Sequence, residues 1–71
     1  MEQYLNIAPH DRPMAAKGLT SYRYRHGRTW VMIGALTHED ALKEAQRSIG
    51  SVPFASGLDV WNGSKYERAF P

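Results

Sequence analysis

Aromatic and basic side chains alternate over residues 22–25, where the sequence reads Tyr-Arg-Tyr-Arg. A period of two is typical of a β-strand whose two faces differ in polarity. The next apolar run, residues 29–35, is rich in β-branched and aromatic side chains and predicts a second strand. Between the two runs, Gly27 can adopt the positive φ that a tight turn requires. The sequence therefore predicts a β-hairpin.

A helical pattern follows this hairpin. Thr37 can cap the first turn, where Glu39 and Asp40 would lie at the positive end of the helix dipole. Gly50 suits the left-handed position that follows a last helical turn. We expect a helix over roughly residues 39–49. Apolar side chains at helical spacing predict its buried stripe, which comprises Ala41, Leu42, Ala45 and Ile49.

A second hairpin is expected near the C-terminus. Residues 51–57 read as a loop, residues 58–61 as a short strand and residues 65–70 as its returning partner. Asn62-Gly63 is the favoured two-residue turn, which would make Trp61 and Tyr66 a cross-strand aromatic pair. The predicted fold class is α+β: a single small domain of order β-β-α-β-β, with one helix packed on one face of an antiparallel sheet.

The N-terminal segment has no comparable periodicity. Pro9 and Pro13 prevent a continuous helix through it. Leu5 and Ile7 alternate around Asn6, so a short edge strand and a disordered segment are the two alternatives. We therefore divide the chain into an N-terminal arm, residues 1–20, and an α+β domain, residues 21–71.

The register of the first hairpin decides which side chains its open face carries. An even-length turn pairs Tyr22 and Tyr24 with odd-numbered residues of the second strand, and an odd-length turn exchanges the two faces. Only the even register leaves one face apolar for the helix, and it is favoured for that reason. It places four side chains together on the other face: Arg23, Arg25, Trp30 and Met32.

Charge adds a candidate surface to this face. The net charge is only +2, but residues 21–35 carry Arg23, Arg25 and Arg28 and no acid. With Trp30, these arginines are the candidate partner-binding residues. Trp, Met and Arg are enriched in protein interfaces, and the same composition forms platforms for single-stranded nucleic acid. A Trp packed beneath Arg stems as ordinary surface is a third interpretation. A protein partner is slightly favoured over DNA, because the small net charge supplies little affinity for phosphates.

The residues that could support catalysis are scattered. His10, His26 and His38 have no metal-ligand spacing and read as solvated polar residues, and no Ser is paired in sequence with a base. No glycine-rich phosphate loop is present; the isolated Gly34 predicts a bulge or a close backbone approach, where the helix packs or the strand bends. We expect a protein that is not an enzyme and that uses no cofactor or metal.

The amino-acid composition indicates which cellular compartment suits the chain. The chain of 71 residues has no Cys, which fits a reducing compartment and excludes disulfides. No apolar stretch approaches the ~18 residues of a membrane span, and the N-terminus lacks a basic-then-apolar signal layout. We expect a cytoplasmic protein that does not contact a membrane.

Several strings within residues 22–66 resemble small uncharacterised proteins encoded in bacteriophages and in proteobacterial prophage regions. These strings are Tyr-Arg-Tyr-Arg-x-Gly, Trp-Val-Met-Ile-Gly-Ala, Asp-Ala-Leu-x-Glu-Ala-x-Arg-Ser and Val-Trp-Asn-Gly-Ser-x-Tyr. The resemblance implies a phage context in a bacterial host cell and no particular activity. A looser similarity, at the Thr37-to-Ala41 junction, is to the arm-binding domains of phage integrases and to plant DNA-binding domains. Those families place three strands before the helix, where this chain offers two.

Overall fold

The computed structural model of the chain describes residues 8–71. These residues form two short 3-10 turns, four strands and one helix. In chain order these are the turn Pro9–Asp11, strands β1 (Thr20–His26) and β2 (Thr29–Ala35), helix α1 (His38–Ile49), the turn Ala55–Gly57, and strands β3 (Leu58–Trp61) and β4 (Tyr66–Arg68). One helix and a four-stranded antiparallel sheet confirm the α+β class. The predicted order β-β-α-β-β holds only in part, because it omits the two 3-10 turns. The alternative strand around Leu5 and Ile7 lies outside the described residues.

The sheet has the order β2-β1-β3-β4, so β1 is an inner strand and β2 and β4 form the edges. Strands β2 and β3 both pair antiparallel with β1 and are therefore parallel to each other. Helix α1 connects these two strands across one face of the sheet. No helix among residues 8–71 is long and apolar enough to cross a bilayer.

The register of the first hairpin is the even one. Tyr22 pairs with Ile33 and Tyr24 with Val31, across a connection of two residues, Gly27 and Arg28. Gly27 has φ 62°, the left-handed conformation that such a turn favours. This register directs both tyrosines to the face that the helix covers.

Helix α1 packs the predicted stripe on this face. Ala41 and Ala45 are fully buried, and Leu42 and Ile49 pack partly buried against the same core. Thr37 caps the helix by accepting a hydrogen bond from the Asp40 N–H at 3.0 Å. Buried tyrosine hydroxyls need polar partners. The Tyr22 hydroxyl lies 2.8 Å from His38 Nδ1, and the Tyr24 hydroxyl accepts the Phe54 N–H at 2.9 Å.

The second hairpin differs from the prediction at its turn. The Asn62 N–H donates to the Lys65 carbonyl at 3.0 Å, so Gly63 and Ser64 occupy the centre of the turn, one residue later than predicted. The Asn62 side chain causes the shift, because its oxygen accepts the N–H groups of both Ser64 and Lys65. The aromatic pair is confirmed: the Trp61 and Tyr66 rings meet edge to face with centroids 5.2 Å apart.

Residues 8–19, here called the covering segment, contact the sheet face opposite the helix. The Ala15 N–H donates to Ser21 Oγ at 3.0 Å. A Cβ added to Gly34 would lie 3.0 Å from Leu19 Cδ1 and 3.1 Å from Ala15 Cβ. The β1–β2 register runs through Gly34 without a bulge. The close approach at Gly34 is therefore made by the covering segment and not by the helix, which was one of the two predicted causes.

Candidate interaction surface on the first hairpin

Arg23 is the centre of the sheet face opposite the helix. Its guanidinium carbon lies 4.1 Å from the centroid of the Trp30 ring and 4.5 Å from that of Tyr66. Both contacts fall within the range of favourable cation–π interactions. The Arg23 side chain is only 15% exposed. Its charged group is therefore enclosed between two aromatic rings.

Two carboxylates neutralise this guanidinium. Arg23 Nε donates to Asp59 Oδ2 at 3.0 Å, and Nη1 donates to Asp11 Oδ1 at 2.6 Å and to the His10 carbonyl at 2.8 Å. The Asp59 side chain is 18% exposed and that of Asp11 50% exposed. Because screening by water is weaker where both partners are sheltered, the Asp59 pair is the stronger of the two. We call Arg23 and the residues around it the Arg23 cluster: Asp11, Arg23, Trp30, Asp59 and Tyr66.

The same cluster holds the start of the covering segment. The His10 ring stacks near the Trp30 ring, with centroids 5.9 Å apart and an interplanar angle of 14°. The Tyr66 hydroxyl donates to the Arg12 carbonyl at 2.6 Å. Partial burial raises the pKa of Tyr66 above its ordinary value, although nearby Arg23 opposes the shift. The phenol therefore keeps the proton that this hydrogen bond requires.

Arg25 and Arg28 differ from Arg23 in being exposed. Arg25 Nε donates to the Gly27 carbonyl at 2.8 Å, and its guanidinium lies 5.1 Å from the Trp30 ring centroid. Within residues 8–71 neither arginine has a carboxylate partner. Together with the turn between them, they form a cationic hairpin tip, residues 25–29.

The structure thus separates the predicted site residues into two groups. It brings Arg23, Arg25 and Trp30 together on the face opposite the helix, but it encloses Arg23 in the cluster and leaves Trp30 partly buried. Arg25 and Arg28 are the exposed members. The sequence does not reveal the two acids of the cluster, since pairing Asp59 with Arg23 requires knowing that β3 lies beside β1.

Exposed apolar side chains lie at the same end of the sheet as the hairpin tip. Phe54 is 76% and Val52 77% exposed. Their loop is anchored to β1, because the Phe54 N–H binds the Tyr24 hydroxyl and β3 begins opposite Tyr24 at Leu58. The pairing of Phe54 with Pro53 in a loop was the signal in the sequence that could have indicated this exposed group.

Two histidines expected to be solvated have structural contacts instead. His10 stacks near Trp30, and His38 is half-buried between the Tyr22 hydroxyl and the edge of Phe70. Burial raises the pKa of Tyr22, and the Glu39 and Asp40 carboxylates raise it further. Among the residues the structure describes, no group of His, Asp and Glu side chains is arranged to hold a metal ion.

Comparisons with protein-family models, with curated protein sequences and with solved structures each found no match to this chain.

Proposed function

We propose that the chain is a non-enzymatic binding module that contacts a protein partner through its first hairpin. The contact residues are Arg25 and Arg28 of the hairpin tip and the accessible part of Trp30, with Arg23 positioning the Trp30 ring from below. The observation that supports this is the contrast within one hairpin: one arginine is paired inside the fold, and two exposed ones have no carboxylate partner among residues 8–71. An acidic segment of a partner protein would supply the missing carboxylates.

The exposed apolar loop beside the tip favours a protein partner. Phe54 and Val52 offer exposed apolar area at the same end of the sheet, in the loop that binds the Tyr24 hydroxyl. Aromatic side chains and Arg are the residues that most often dominate binding energy at protein interfaces. We expect the partner surface to combine acidic with apolar side chains.

DNA binding through the same hairpin is the second candidate, and the geometry makes it the weaker one. A nucleic-acid platform needs free aromatic faces and unpaired cations. The Trp30 ring already contacts Arg23, Arg25 and His10. The charge of Arg23 is compensated by two carboxylates, which leaves only the two tip arginines for phosphate.

We further propose a phage-type accessory role in the cytoplasm of a host cell, without a cofactor. The resemblance of residues 22–66 to phage and prophage proteins supports this context, and the absence of Cys fits a reducing compartment.

Site-specific photocrosslinking tests the proposed contact. A photoreactive phenylalanine analogue replaces Arg28 at the hairpin tip or, as a matched control, Lys65 at the exposed turn of the second hairpin. After irradiation in bacterial cells, each adduct is treated with nuclease or with protease. We expect a discrete adduct at position 28 that resists nuclease and is lost on protease treatment, with none at position 65.

The adduct should also depend on the other contact residues. Trp30→Ala and Arg25→Glu should each reduce its yield while the variants remain folded by circular dichroism. A nuclease-sensitive adduct would show that the partner is a nucleic acid and would contradict the proposal of a protein partner. Equal labelling at positions 28 and 65 would contradict the assignment of the tip.

A further inference from the structure

Strand β2 has a free edge that lacks the usual protection. Within residues 8–71 it pairs with β1 alone, and its seven residues read Thr-Trp-Val-Met-Ile-Gly-Ala. The strand carries no charged residue and no Pro, and its pairing with β1 has no bulge. Among residues 8–71, no backbone hydrogen bond from outside the sheet reaches it. Charges, Pro and bulges are the devices that keep natural sheet edges from pairing, so this edge is suited to accept another strand.

An open groove runs beside this edge. A cavity of about 340 Å³ lies between the end of β2 and one flank of α1. Leu19, Ala35 and Leu36 contribute its apolar lining. Leu36 is 71% exposed and Leu19 40% exposed. A strand added to β2 would therefore cover apolar surface as well as the unpaired backbone.

The charges on the helix flank indicate what occupies the groove. Four charged residues line it at helical spacing and alternate in sign: Asp40, Lys43, Glu44 and Arg47. Reversing the order of this series exchanges every acid for a base. Against an antiparallel copy of itself, Asp40 meets Arg47 of the second copy and Lys43 meets its Glu44. The flank is thus complementary to itself, as a two-fold interface requires.

Helix α1 runs beside β2, so one two-fold axis must relate both elements to those of a second copy. Helix α1 follows β2 closely and returns along it, since His38 at its start contacts Tyr22, the partner of Ile33. The helix is about 18 Å long and β2 about 23 Å long at ordinary rises per residue. A dimer on this edge needs one two-fold axis that passes both beside Met32, the centre of β2, and between Lys43 and Glu44 of α1.

We propose that this edge binds a second copy of the chain, with the two β2 strands antiparallel in one continuous eight-stranded sheet and the two α1 flanks side by side. The only partner of Arg47 within the described residues is Glu44 at 3.4 Å, in an exposed pair that is easily exchanged. An unrelated peptide of one charge sign would meet as many repulsive as attractive groups here. The inference does not rest on the proposed function, because it is carried by the backbone edge of β2 and the charged flank of α1, whereas the proposed function is carried by the side chains of Arg25, Arg28 and Trp30.

Sedimentation velocity over a concentration series tests the dimer with a charge-swap design. Arg47→Asp places a second carboxylate opposite Asp40 of the other copy, twice by symmetry. Asp40→Lys places a second cation opposite Arg47 in the same way. We expect each single variant to weaken dimerisation about tenfold or more, since like charges facing each other across an interface are strongly unfavourable. The double variant restores opposite charges and should restore dimerisation.

Arg68→Asp on the far edge of the sheet is the matched control, because it makes the same charge change at an exposed site outside the groove. It should leave dimerisation unchanged. Circular dichroism establishes that each variant is folded. A wild type that stays monomeric up to a concentration of about 1 mM, where even weak dimers form, would overturn the proposal. Single variants that dimerise like the wild type would also overturn it, as would a double variant no better than either single one.

Discussion

Replacing Arg23 with Met should destabilise the fold substantially. Met fills similar space between the two rings but removes the charge, so Asp59, whose side chain is 18% exposed, keeps its own charge without a partner. Removing one partner of a fully buried ion pair costs about 3–5 kcal/mol, and a hydrogen bond to a charged group contributes about 1.5–3 kcal/mol. The pair here is sheltered but not fully buried. We therefore expect Arg23→Met to lower the free energy of unfolding by about 2–4 kcal/mol, a sum that includes the lost cation–π contacts.

Arg25→Met is the matched control. Arg25 lies on the same strand and the same face, yet it is exposed and donates a hydrogen bond to the nearby Gly27 carbonyl. Its loss should change the free energy of unfolding by no more than about 0.5 kcal/mol. Urea denaturation followed by circular dichroism measures both variants. With a slope near 1 kcal/mol per molar urea, the Arg23 variant should unfold at a midpoint lower by about 2 M or more.

A double-mutant cycle isolates the ion pair. Asp59→Asn removes the other charge, and combined with Arg23→Met it should cost clearly less than the sum of the single changes. Amide shifts of His10 and Asp11 should move toward random-coil values in the Arg23 variant, because Arg23 binds the His10 carbonyl and the Asp11 carboxylate. Equal urea midpoints for Arg23→Met and Arg25→Met would refute the assignment of Arg23 to the interior of the fold.

Three further predictions concern other parts of the fold. Leu42→Ala should lower the free energy of unfolding in urea by about 2 kcal/mol, at the low end for Leu truncation because Leu42 is only partly buried. A urea midpoint equal to that of the wild type would exclude Leu42 from the core. The folded state raises the pKa of Tyr22 above 10.0, so the stability contributed by its bound proton is present below pH 10 and is lost as the pH rises through the folded pKa. Tyr22→Phe should flatten this alkaline decline of the melting temperature, and an unchanged decline would contradict the prediction. Gly34→Val should displace Ala15 and Leu19 and accelerate hydrogen exchange at Ala15 relative to wild type, whereas unchanged protection would show that the covering segment does not need the glycine.

The local elements of this fold could be predicted because short sequence patterns determine them. Thr37, Gly50 and the apolar stripe define α1, and the alternation from Tyr22 to Arg25 defines β1. The hairpin register could be predicted because only an even-length turn leaves one face of the hairpin apolar. Each inference needed only neighbouring residues and one periodicity.

The long-range arrangement could not be predicted in the same way. Arg23 and Asp59 are 36 positions apart and meet only because β3 pairs with β1 after the chain has passed through α1. Asp11 reaches Arg23 from a segment with no periodic pattern. The sequence therefore predicted a cationic aromatic face but not the acids that neutralise its central residue. The turn error at Asn62 was local: the side chain of that residue competes with the backbone for the same N–H groups.

The salt dependence of DNA binding tests most directly the claim that Arg23 is committed to the fold and that the hairpin serves a protein partner. Fluorescence anisotropy with mixed-sequence single- and double-stranded DNA gives the slope of log Kobs against log salt concentration. With only Arg25 and Arg28 available, the account predicts weak binding and a slope no steeper than about −1.4 to −1.8, which corresponds to two phosphate contacts. Tight binding at physiological salt with a much steeper slope would contradict it.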